Sequence, residues 1–83
     1  MEPNFKNRMD ALWANINQLD HRTRMDMKKM FQTCEKLYDE LSKEEVICRA
    51  RRKSTTKYQK IVQDLEQRLQ EIEQYLVIAS LIS

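Results

Sequence analysis

Phe5, Met9, Leu12, Ile16 and Leu19 are separated by steps of four, three, four and three residues, which places them on one face of an α-helix. Two further steps of four, through Thr23 to Met27, form a stutter near residues 23–27, an insertion that locally relaxes left-handed supercoiling. The rhythm resumes at Met30. With Met27 at heptad position a, the a line runs through Cys34, Leu41, Cys48, Thr55, Val62, Leu69 and Leu76. The d line runs through Met30, Leu37, Glu44, Arg51, Tyr58, Leu65, Ile72 and Ala79. An apolar seam sustained over so much of a chain predicts an all-α fold, a long helical coiled coil in an oligomeric bundle. The 83 residues include no glycine and one proline, which disfavours sheets, barrels and glycine-rich nucleotide loops.

The heptads divide one coiled-coil region, 1–83, into apolar repeats over 4–41, a polar and basic middle over 42–57, and apolar repeats over 58–82. A single rod-like helix is favoured, because the phase runs through the middle without a skip. From about Asn4 to Ser80 such a rod would be about 115 Å long. The alternative is a helical hairpin with a turn near 42–56, where Ser42-Lys43-Glu44-Glu45 has capping-box spacing and Ser54-Thr55-Thr56 is a poor helical stretch. Pro3 suits a first helical turn. Acidic-to-basic pairs four apart, Asp39 with Lys43, Glu45 with Arg49 and Asp64 with Arg68, support helix throughout.

A lone helix would leave this stripe in water, so folding is expected to require association. The residues expected at the partner interface are Leu12, Trp13, Ile16, Leu19, Met27, Met30, Leu37, Leu41, Tyr58, Val62, Leu65, Leu69, Ile72 and Leu76. Leu65, Leu69, Ile72 and Leu76 form the expected stability centre, with Leu69 the most sensitive position. Trp13 widens the apolar face, and the methionines, with Met25, Met27 and Met30 close together, make an adaptable core. Ile72 at d with Leu69 at a leans toward more than two strands, as do Val77, Ile78, Leu81 and Ile82 outside the a/d line. Partners are expected to be copies of the chain or unlike helices.

Residues 43–57 hold six basic residues against two acidic, a net of +4, whereas 1–42 balance and 58–83 carry −2. Glu44 and Arg51 at d suggest a polar layer that sets register. The basic patch Arg49, Arg51, Arg52, Lys53 and Lys57 also permits phosphate contact, and superficially looks like the basic segment of a basic-leucine-zipper protein. It holds no Asn to read a base edge and is too short, so nucleic acid is an unlikely partner. Arg51-Arg52-Lys53-Ser54 resembles the R-R-x-S site of basophilic kinases, marking Ser54 as a candidate phosphosite.

No catalytic, metal or cofactor site is expected. His21 reads as a solvated surface residue beside Asp20, and Glu71 and Glu73 point to different faces of a helix. Cys34 and Cys48 are fourteen residues apart, without Cys-x-x-Cys spacing, and read as small buried hydrophobes on one helix face. Reduced thiols and the lack of a signal-like amino terminus point to cytoplasm or nucleus, and the apolar carboxyl-terminal run is too short to span a bilayer. The expected role is a non-catalytic oligomerisation or scaffold subunit of a multi-protein complex. The alternatives are a nucleic-acid binder through residues 49–57 and a peripheral membrane tether through Leu76 to Ile82.

Overall fold

The computed structural model describes residues 4–82, except for the side chain of Ile82. The expectations placed on Pro3 and on the Ile82 side chain lie outside the described residues. Three helices follow in order, α1 (Phe5–Ile16), α2 (His21–Arg51) and α3 (Thr56–Ile82), and the described residues contain no strand.

The single rod is therefore corrected to a folded-back chain measuring 48 × 17 × 17 Å. The 31 residues of α2 account for the long axis, since they rise about 46 Å. Two short breaks shape the molecule. The first separates Ile16 from His21. There Asn17 turns its side-chain amide onto the Trp13 carbonyl at 3.0 Å, and the Leu19 N–H donates to the Ile16 carbonyl at 3.1 Å. The stutter at 23–27 thus lies in the first turns of α2, and the run of fours in the sequence straddles a reversal of the chain.

The second break is the turn between α2 and α3. Arg52 adopts the left-handed conformation, φ 56° and ψ 34°. Its N–H donates to the Arg49 carbonyl, and the Lys53 N–H to the Cys48 carbonyl, the paired bonds of a Schellman ending. Glycine usually fills this place because a Cβ there costs about 1–2 kcal/mol. Arg52 carries that cost, so the turn has no glycine to announce it. Thr55 then opens α3, its Oγ1 accepting from the Tyr58 N–H at 3.0 Å, an N-cap bond for an otherwise unpaired donor. The capping-box spacing at Ser42 is not used. α2 continues through it, with the Ser42 hydroxyl donating to the Tyr38 carbonyl at 3.1 Å.

α2 and α3 run antiparallel, and their apolar faces bury one another. Met27, Cys34, Leu41, Leu65 and Leu69 have no exposure, and Ile72 and Leu76 have little. α1 lies along the half of this pair farthest from the turn, adding Phe5, Met9, Leu12 and Ile16 to the same core. Phe31 and Ile61, one position off the a/d lines, are buried too; a third helix demands a wider stripe than a two-stranded seam. Arg8 ties α1 to α3. Its guanidinium is 2.6 Å from Glu66 Oε2 and makes a two-pronged contact with Glu73, at 2.8 and 3.2 Å. Hydrogen bonding to Glu73 above all, with help from Glu66, holds the Arg8 guanidinium more firmly protonated than usual against partial burial.

Candidate interaction surfaces

The seam residues were expected to face a partner, and most face the chain's own helices. Leu12, Ile16, Met27, Leu41, Leu65, Leu69, Ile72 and Leu76 are buried, while Leu19, Met30, Leu37, Tyr58 and Val62 are partly buried against the same core. A face hidden inside one chain no longer needs a second chain to cover it. Trp13 alone of that set stays substantially exposed, with its ring 5.2 Å from that of Phe31 and Lys28 Nζ 5.1 Å from its centroid. The aromatic contact pins α1 to α2, and the ammonium shields the outer ring face.

The apolar side chains left outside are different ones. Tyr75, Val77, Ile78 and Leu81 project from the last turns of α3, with Leu81 81% exposed. Val77 and Leu81 also border an open groove of about 800 Å³ between α1 and α3, which Leu12, Leu19 and Leu76 help to line. A second, smaller exposed pair, Val46 and Ile47, lies on α2 before the turn, and Met25 is half exposed rather than part of the core. Among the described residues no helix is long and apolar enough to cross a membrane.

The expected polar layer paired Glu44 with Arg51. Glu44 is buried at 6% exposure and Arg51 is exposed, so the two do not meet. The turn removes Arg51 from the seam and brings Thr55 to Glu44 in its place. The Thr55 hydroxyl donates to Glu44 Oε2 at 2.7 Å, and Cys48 Sγ lies 3.7 Å from the same hydroxyl. This polar knot closes the end of the helix pair next to the turn.

Arg49, Arg51, Arg52, Lys53 and Lys57 are all exposed at that end. The two acids of the segment do little to balance them, because Glu44 is turned inward and, among the described residues, Glu45 reaches only Arg49, at 3.9 Å. Lys43 pairs with Asp39 at 3.4 Å. Ser54 is exposed between the helices.

The described residues contain no group of His, Cys, Asp or Glu arranged to hold a metal ion. His21 is exposed at the start of α2, with Nδ1 3.4 Å from an Arg24 guanidinium nitrogen. Both cysteines are free, Cys34 buried and Cys48 half-buried. Burial pushes the Cys34 thiol up from its ordinary 9.0 to about 11, opposed by Arg68 and reinforced by Glu71 and Glu35. Between these values the unfolded chain releases a proton that the folded chain keeps, so this thiol's contribution to stability is full below pH 9.0 and declines as pH rises toward 11. Alkylation of the native protein should accordingly label Cys48 well before Cys34, since the thiolate is the reactive form. Mass mapping that found equal labelling would show the α2 and α3 faces to be open at Cys34.

Compared with protein-family models, with curated proteins and with solved structures, the chain has no match.

Proposed function

We propose that this chain is a non-catalytic helical interaction module, a scaffold subunit that assembles with a second copy or with unlike helices through the outer face of α3. The observation that carries the reading is the apolar strip of Tyr75, Val77, Ile78 and Leu81, left in water beside an open groove although the chain has covered its heptad seam. Contiguous apolar side chains on an otherwise charged surface mark places where another body sits. A helix laid along the α1/α3 groove turns the three-helix half into a four-helix bundle, the architecture in which such grooves are filled.

Sedimentation or light scattering over a dilution series tests it. The chain is expected to exceed the mass of one copy at the higher concentrations, and Val77→Asp with Leu81→Asp to return it to a monomer of unchanged helicity. A monomer at every concentration for both proteins overturns self-assembly. Flotation of the unaltered chain with liposomes, lost in the double variant, would assign the strip to a lipid surface instead.

A second reading has its own support in the exposure of Arg49, Arg51, Arg52, Lys53 and Lys57 at one end of the molecule. A polyanion such as nucleic acid would bind there by phosphate neutralisation. Such binding would fall steeply with salt and disappear when these side chains are reversed to Glu.

A further inference from the structure

Three hydroxyl side chains, Ser54, Thr55 and Thr56, follow the run Arg51-Arg52-Lys53, and the fold treats each differently. Thr55 is half-buried, and its oxygen is committed twice, donating to Glu44 Oε2 and accepting from the Tyr58 N–H. Thr56 is already the first residue of α3, with lysine rather than arginine three positions before it. Ser54 belongs to neither helix, is exposed, and has no hydrogen bond from its hydroxyl to the other described residues. Two exposed guanidinium groups, Arg51 and Arg52, precede it by three and two positions.

We propose that Ser54 is a phosphoacceptor site for a basophilic serine/threonine kinase that recognises the turn through Arg51 and Arg52. Arginine forks pair with carboxylates by short charge-assisted bonds, and neither guanidinium has an ion-pair partner among the described residues. Seating the segment in an extended form requires that the last turn of α2, which contains Arg51, loosen, and the cap of α3 at Thr55 with it where the segment runs past Ser54. The bonds given up include those from the Arg52 and Lys53 amides to the Arg49 and Cys48 carbonyls, and the Thr55 hydroxyl bonds are the next in line. Arg52 leaves its left-handed conformation at the same time, which relieves strain.

The co-substrate is magnesium-bound ATP. Ser54 Oγ attacks the γ-phosphorus, the Oγ–P bond forms, and the bond from that phosphorus to the β,γ-bridging oxygen breaks. ADP leaves with that electron pair, and the hydroxyl proton passes to the kinase's catalytic-loop aspartate. The product places a dianionic group one residue before the cap of α3, at the positive end of the helix. The charge of the turn segment falls from +4 to about +2. The site lies at the opposite end of α3 from the apolar strip, so it stands or falls independently of the assembly reading.

The test is incubation of the full chain with the catalytic subunit of a kinase selective for arginine at these two positions, with magnesium and ATP, followed by intact-mass and fragment analysis. One phosphoryl group per chain is expected, located on Ser54. Ser54→Ala, at an exposed turn position, should retain the helicity of the parent and lose incorporation. Replacing Arg51 and Arg52 together by Ala should slow it by about tenfold or more, from the loss of charge-assisted bonds to the kinase. No incorporation into the folded chain, transfer to Thr55 or Thr56 that persists in Ser54→Ala, or a rate indifferent to the two arginines would each overturn the proposal.

Discussion

Replacing Leu69 with alanine is expected to remove about 2–5 kcal/mol of folding stability, the range for a large side chain cut from a packed core. Leu69 has no exposed surface, and it sits on the face of α3 that meets α2 where α1 also contributes to the core. Three helices hold that level, so the surroundings have little freedom to collapse into the space left behind. Urea titration followed by helicity measures the loss. The matched control is Val46→Ala, because Val46 is 65% exposed on α2 and lies outside the apolar strip of α3, and a change there should stay within about 0.5 kcal/mol. With Val77→Asp and Leu81→Asp added to keep the chain monomeric, the midpoint for the Leu69 variant should not move on dilution, since the buried contact is made within one chain. A midpoint that still tracks protein concentration in that background would return this contact to an interface between chains.

Thr55→Ala is expected to cost about 2–4 kcal/mol, more than most changes at a half-buried hydroxyl. Two losses combine. The first turn of α3 loses its cap, typically about 1 kcal/mol, and Glu44 loses its donor while still enclosed, about 1–3 kcal/mol. Adding Glu44→Leu to Thr55→Ala should recover much of the second loss, as an apolar side chain asks for no partner. Thr55→Ser keeps both bonds and should stay near the parent. A double-mutant cycle separates the parts; a coupling near zero between positions 44 and 55 would remove the knot as a stabilising feature.

These positions mark how far the sequence could be read. The all-helical class, and burial at Met27, Leu41, Leu65, Leu69, Ile72 and Leu76, follow from spacing alone, because the apolar repeat reports which face leaves water. It does not report whether the covering helix belongs to the same chain. In the sequence the hairpin with a turn near 42–56 is the alternative and the rod is favoured, because the turn uses Arg52 where glycine would have signalled a left-handed residue and because Thr55 caps α3 without interrupting the heptad count. Asn17 and Asp20, both turn-forming types, were the available sign of the first break.

Long-range pairs were beyond reach. Arg8 finds Glu73 across 65 positions, and nothing local to either residue marks the other. The burial of Phe31 depends in the same way on where α1 comes to rest, its ring meeting that of Trp13. Among the surface features, the basic patch and Ser54 could be named from the sequence, but their presentation at the tip of a hairpin belongs to the alternative rather than to the favoured rod. The apolar strip could be read only in part, since Val77, Ile78 and Leu81 stood out as surplus to the seam while Tyr75 gave no such signal.

α3 joins two unlike ends. It starts beside the cationic turn and finishes at Leu81, and its 27 residues hold those ends about 40 Å apart. A body gripping the guanidinium-rich cap and another resting on the greasy heel therefore have no shared footprint and need not displace one another. The molecule has the geometry of a short ruler with a differently coated pad at each tip.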